Sequence, residues 1–167
     1  MQVSLSLEGF TKLLFQDWFT KPLYYEITKS YYNDLLVTGC RPTEPFLTDR
    51  WAITKKGVIL IPLKGNNPRL IKENLISKSL YDSIAEKKVP YCGVSINQMR
   101  LQFNRQFPTP KLHVRNKPID LYAFRYYKAK ALLQAGSTHN EIQSHFGWTN
   151  SSLVQVYTSA NIYYIKA

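Results

Sequence analysis

The sequence predicts an α+β domain that is mostly helical and carries one small three-stranded antiparallel sheet. Three observations lead there. Apolar residues recur at spacings of three and four before position 40 and again after position 75, with capping residues beside the runs. Between them, residues 51–71 are rich in β-branched and apolar residues and are broken by Lys-Gly and Gly-Asn-Asn-Pro turns. A chain of 167 residues, 44% hydrophobic and 20% charged, has the size and composition of one globular domain that can bury a core.

Ser6 is placed to cap a helix through Phe10, Leu13, Leu14 and Trp18, which Pro22 interrupts. Tyr24 to Val37 reads as a second helix, stopped at Thr38-Gly39 because glycine readily takes the left-handed conformation that ends a helix. A short polar turn after Arg41 leads to a strand at Trp51–Thr54, a turn at Lys55-Lys56-Gly57 and a second strand from Val58 to Leu63. Lys64 to Pro68 is a turn, and Arg69-Leu70-Ile71 is the third strand. Helices resume from Leu75 to Glu86 and, capped by Ser95, to Phe107. Pro108 to Lys117 is basic, contains proline and reads as a loop. Pro118 suits the first turn of a helix that reaches Gln134 and ends at Gly136. Thr138 and Glu141 have capping-box spacing and open a short helix ending near Gly147, and Asn150 caps one more helix carrying Val154 and Tyr157. No repeat, linker or low-complexity segment divides the chain, so 1–167 reads as a single domain.

Charge narrows the function. Twenty-two Lys and Arg against eleven Asp and Glu give +11, with a pI near 9.7. The basic residues are scattered rather than gathered in a tail, which favours a polyanionic partner, nucleic acid first. No apolar run reaches the roughly 18 residues of a membrane helix, and the N-terminus has neither a basic leader nor a signal-type apolar core. Cys40 and Cys92 match no metal spacing and no disulfide framework. The chain therefore reads as intracellular, without membrane, metal or cofactor.

Four segments hold the chemistry-bearing residues. Leu36-Val-Thr-Gly-Cys-Arg-Pro-Thr-Glu44 puts Arg41 just past a glycine turn, with an acid three residues on. Ile61-Pro-Leu-Lys-Gly-Asn-Asn-Pro68 puts Lys64 at a turn between strands. Leu121-Tyr-Ala-Phe-Arg125 spaces Tyr122 and Arg125 by three. Glu141-Ile-Gln-Ser-His-Phe-Gly-Trp148 follows, with Trp148 23 residues past Arg125 and Tyr157 nine further on. Arginine suits a phosphate clamp because its planar fork binds phosphate oxygens bidentately and keeps its charge.

In this order and spacing, and over the chain from about Leu5 to Tyr157, these boxes resemble the catalytic domain of the tyrosine recombinases (phage-integrase type). The resemblance implies the fold of that domain and a metal-free site-specific DNA strand transfer through a 3′-phosphotyrosine. Arg41 and Arg125 fill the two arginine positions, Trp148 stands where members carry histidine or tryptophan, and Tyr157 is the nucleophile. Lys64 is assigned as the acid for the leaving oxygen, with Lys55 and Lys56 as rivals on the preceding turn. Tyr122 departs from the pattern, which has histidine there: a phenol can donate to phosphate, but with an ordinary pKa of about 10 it is a poor base at neutral pH.

The implied partner is double-stranded DNA, bound by a homo-oligomer, a tetramer, with the origin of such a protein in a virus or mobile element. The N-terminal core-binding domain usual in the family is expected to be absent from 1–167. The apolar tail from Thr158 to Ala167 docks either on a neighbouring protomer or on its own domain. Candidates to face a DNA groove are the loop from Pro108 to Lys117 and Asn97, Gln98, Arg100 and Asn104. His113 reads as a DNA-facing loop residue or simply as exposed. Tyr126, Tyr127, Tyr163 and Tyr164 read as core or DNA-flanking residues. Two other functions stay open: a DNA-binding module of this fold with impaired catalysis, suggested by Tyr122, and type IB topoisomerase-like relaxation.

Overall fold

The first helix carries its start signal in the sequence, and that signal operates. In the computed structural model, which describes residues 2–15, 22–64, 66–106 and 112–165, α1 runs over Leu7–Leu14 behind the strand β1 at Gln2–Ser4. The Ser6 side chain accepts a hydrogen bond from the Gly9 amide, satisfying one of the donors a helix start leaves free. Trp18, expected on this helix, lies outside the described residues, as do Gly65, Phe107 and residues 108–111.

The second helix, α2 at Pro22–Thr38, takes Pro22 as its first residue, where a missing amide hydrogen costs nothing. Tyr31, Tyr32 and Leu35 on it are fully buried. It ends at Gly39 with φ +63, and a Cβ there would sit 2.5 Å from the Phe146 ring, so both backbone freedom and close packing require glycine.

Strands β2 (Trp51–Thr54), β3 (Gly57–Leu60) and β4 (Arg69–Ile71) form the expected antiparallel sheet in that order, with Trp51 opposite Leu60 and Val58 opposite Ile71. Helices α3 (Lys78–Glu86) and α4 (Ile96–Gln106) follow. Asp34 of α2, fully buried, accepts from the Ser77 amide (2.6 Å), the Ser77 hydroxyl (2.6 Å) and the Tyr91 hydroxyl (2.7 Å), pinning the start of α3 to α2.

A second sheet adds to the expected one. The stretch read as a loop contains a hairpin, β5 at Leu112–Val114 and β6 at Lys117–Pro118, turning on Arg115 and Asn116, both at positive φ (51 and 65). Hairpins of two central residues favour such φ values, usually with glycine or asparagine. The hairpin was not evident because arginine occupies a position that glycine normally advertises. Pro118 sits on the edge strand, where its missing donor costs no ladder bond, and not in the first turn of a helix. The helix α5 begins later, at Ala123, and runs to Gln134 before Gly136 at φ +92. His113 is correspondingly not a loop residue: it lies on β5, half-buried, with its ring stacked 5.6 Å from Tyr163.

The capping box of Thr138 and Glu141 opens α6 at His139–Phe146, and α7 spans Ser152–Thr158. Strand β7 at Tyr163–Ile165 lies between β1 and β5, pairing Gln2 with Ile165 and His113 with Tyr163, so the tail packs on its own domain. The main core joins α1, α2, α4 and α5: Phe10 stacks on Tyr127 (4.4 Å) and meets Phe124 edge-on (5.1 Å). A smaller aromatic cluster around Phe146 and Trp148 lies between α5, α6 and α7.

Candidate active site

The end of α2 delivers Arg41 through a sharp turn. Glu44, fully buried, holds that turn: Oε1 accepts from the Arg41 amide (2.5 Å), and Oε2 accepts from the Leu63 amide (3.1 Å) and lies 4.0 Å from Arg41 Nη1. Arg41 Nη1 also reaches the Leu63 carbonyl (3.4 Å). One carboxylate thus binds the arginine turn to the β3–β4 connection, on which Lys64 is the next residue, exposed and at φ +62. Lys55 and Lys56, the rival lysines, lie exposed on the β2–β3 turn.

Arg125 projects from α5 with 2% of its surface exposed. Its Nη1 donates to the Gly39 carbonyl (2.7 Å), two residues before Arg41. The guanidinium lies over three aromatic rings, Phe146 at 5.2 Å, Trp148 at 5.6 Å and Tyr157 at 5.8 Å. Ring faces are electron-rich and favour a cation, which compensates in part for burying one.

Trp148 is placed by the turn after α6. Gly147 takes φ +71, and a Cβ on it would lie 2.2 Å from the Asn67 carbonyl oxygen, while the Asn67 amide donates to the Gly147 carbonyl (2.7 Å). Trp148 stacks on Phe146 (4.3 Å, 9°) and on Tyr157 (4.9 Å, 26°). Tyr157, half-buried on α7, also packs on Tyr126 (4.6 Å). Arg125, Trp148 and Tyr157 therefore share one stack; the Gly39 carbonyl ties Arg125 to the turn that carries Arg41, and the Leu63 backbone ties that turn to the residue before Lys64.

Tyr122 stands apart from the stack. It is 38% exposed at the head of α5 and lines a hollow of about 410 Å3 together with Asn104, Pro118, Ile119, Asp120 and Tyr126. Tyr126 is its link to Tyr157. Of the proposed groove-facing residues, Asn97, Gln98 and Asn104 are exposed on α4, whereas Arg100 is paired with Asp120 (3.6 Å). Tyr127 and Tyr163 are core residues.

Residues that sequence reasoning passed over surround the stack. Arg69 is 2% exposed; its Nε donates to the His145 carbonyl (2.5 Å) and its Nη2 donates to the Thr38 carbonyl. Burial lowers its pKa to about 10, so it stays charged at neutral pH. His145 is pushed down to about 3, by burial first and then by Arg69 and Lys128, and is neutral. Its Nε2 lies 3.2 Å from the Thr38 carbonyl and 3.3 Å from Arg69 Nη2. Burial raises the Cys40 thiol to about 12, which leaves it unreactive. Among the described residues, no group of three or more His, Cys, Asp or Glu could hold a metal ion. The one available clue to Arg69 was strand alternation: pairing Ile71 with Val58 turns positions 69 and 71 inward together.

No protein-family model and no curated protein sequence matches the chain. Solved structures do. The chain is similar to XerA recombinase (TM-score 0.57, 16% identity, 93% of this chain and 60% of that one). It is similar to a lambda integrase dimer bound to a COC′ core site (TM-score 0.64, 13% identity, 93% and 58%). It is also similar to the Tn1549 transposon integrase in complex with circular intermediate DNA (TM-score 0.59, 16% identity, 99% and 63%). The chain spans about three fifths of the length of these structures. Its fold is that of a tyrosine recombinase catalytic domain. Among the described residues no helix is long and apolar enough to cross a membrane.

Proposed function

We propose that the chain is a tyrosine recombinase catalytic domain that cuts and rejoins double-stranded DNA by metal-free transesterification. The observation that carries this reading is the stack of Tyr157 and Trp148 over the buried Arg125 guanidinium, with Arg41 brought close by the Gly39 carbonyl that Arg125 bonds. The formal charge of +11 and the DNA present in two of the similar structures support DNA as the partner.

On this reading Tyr157 Oη gives its proton to solvent and bonds to the scissile phosphorus, the bond to the 5′ oxygen breaks, and Lys64 protonates the departing oxygen. Arg41 and Arg125 hold the non-bridging oxygens, and the Trp148 indole N–H donates to one of them. Tyr122 donates to phosphate without acting as a base. Because three rings cover Arg125, a phosphate reaches it only once Tyr157 lifts from Trp148. A 5′ hydroxyl of the partner strand then displaces the phenol and completes the exchange. Assembly of four protomers on DNA and an origin in a mobile element belong to the same proposal.

A nicked duplex whose short 5′-hydroxyl-bearing fragment diffuses away should trap a denaturation-resistant protein–DNA adduct in EDTA. Tyr157→Phe should abolish it, and an undiminished adduct would refute the assignment. The second reading, a DNA-binding module without catalysis, is favoured by the position of Tyr122, exposed and lining a hollow with Tyr126 rather than joining the ring stack among the described residues. It expects salt-dependent duplex binding and no adduct on any substrate. Relaxation of plasmids lacking a target site would point instead to topoisomerase-like action.

A further inference from the structure

Arg69 lies behind the stack, and what it touches is the ends of two helices. The Thr38 carbonyl, which accepts from Nη2, is in the last turn of α2, and the His145 carbonyl, which accepts from Nε, is in the last turn of α6. Each helix then turns through a glycine in the left-handed region, Gly39 at φ +63 and Gly147 at φ +71. Each delivers a site residue three positions past the bonded carbonyl, Arg41 after Thr38 and Trp148 after His145.

The segment just before Arg69 holds the same place. Asn67 donates to the Gly147 carbonyl (2.7 Å), and Gly147 packs directly on the Asn67 carbonyl. Helix C-termini are negative ends that favour a cation. A guanidinium offers two donors at fixed angle and spacing, whereas an ammonium offers a single point. Nη1 has no hydrogen-bond partner among the described residues. A well-packed apolar residue would stabilise such a site at least as well as an incompletely bonded cation. What Arg69 adds is geometry.

We propose, on the strand-transfer reading above, that Arg69 is a positioning residue that caps α2 and α6 together and so fixes the separation of Arg41 from Trp148.

The test uses the intact chain with Arg69→Lys and Arg69→Met, at temperatures where circular dichroism shows wild-type helix content. Displacing a phosphate-binding group by an ångström typically slows a reaction about a hundredfold, so adduct formation on the nicked duplex should fall by about that factor. Duplex affinity should change less than about threefold, since ground-state binding is spread over many contacts. Lysine should not rescue the rate. The indole resonance of Trp148 should shift or broaden in both variants. That of Trp51, whose indole donates to the Glu44 carbonyl (2.8 Å), should stay in place. An unmoved Trp148 resonance, or wild-type cleavage by Arg69→Lys, overturns the proposal. So does loss of the fold in both variants, which would make Arg69 a stability residue. If the wild type itself forms no adduct, the strand-transfer reading fails and the Trp148 resonance alone judges the role of Arg69.

Discussion

The Tyr157 ring lies over the Trp148 indole with centroids 4.9 Å apart, and the Arg125 guanidinium sits 5.6 Å from the indole and 5.8 Å from the phenol. On the proposed strand-transfer reading, nucleophile and clamp begin in contact with each other, and the same side chains serve as packing before DNA arrives and as chemistry afterwards. Trp148→Phe keeps a ring in the stack and removes the indole donor. We expect stability within about 1.5 kcal/mol of wild type and adduct formation slower by about a hundredfold. Trp148→Ala should destabilise by about 3–5 kcal/mol, measured by urea unfolding.

Gly147→Ala attacks the site without removing a functional group. The new methyl meets the Asn67 carbonyl oxygen, 2.2 Å from an ideal Cβ, at a φ of +71 that alanine adopts poorly. A loss of at least about 2 kcal/mol in unfolding free energy is expected, together with weaker cleavage. Gly136→Ala, which also has positive φ (+92) but open space around it, should cost less in the same melt.

His145 makes stability acid-sensitive. Its folded pKa of about 3 lies below the ordinary value of 6.5, so between these pH values the unfolded chain binds a proton that the folded chain refuses. Stability from this group is complete above about pH 6.5 and is lost as pH falls toward 3, by up to about 5 kcal/mol. Asp34, whose carboxyl is raised by burial, tilts the profile the opposite way. Comparing unfolding midpoints of wild type and His145→Gln across this range isolates the histidine, and the variant should show the flatter acid limb.

Asp34→Ala should destabilise by about 3 kcal/mol in thermal unfolding, because it leaves the Ser77 amide and two hydroxyls buried without their acceptor.

Duplex affinity should fall linearly with salt on logarithmic axes, and Lys64→Ala should make that slope shallower by about one if the lysine meets a phosphate. An unchanged slope would move attention to Lys55 and Lys56.

Locally determined features were legible. The Ser6 cap, the Thr138–Glu141 capping box and the Gly39 stop each depend on residues within four positions of one another, and each forms. The hairpin at 112–118 was not, because Arg115 replaces the usual glycine and is held by a bond to the Val156 carbonyl (2.8 Å), far along the chain. Arg69 was hidden for the same reason: its partners lie 31 and 76 residues away, and nothing beside it in sequence marks it as buried. Order and spacing pointed to Arg125, Trp148 and Tyr157, which pack together. What spacing did not convey is that Tyr122 stays outside the stack and that Arg125 is sealed beneath it.

Joining Gln2 to Ile165 ties a loop of almost the whole polypeptide, the most entropically demanding contact a chain of this length can make. Such a pairing is favoured only after the intervening helices have condensed, so β7 meets β1 late in folding. It is also the first to be released by partial opening. Tyr157 lies on α7, six residues before β7, with its ring packed on Trp148 and Tyr126. Unzipping the terminal strand would thus lengthen the tether behind the phenol while its ring contacts to Trp148 and Tyr126 stay in place.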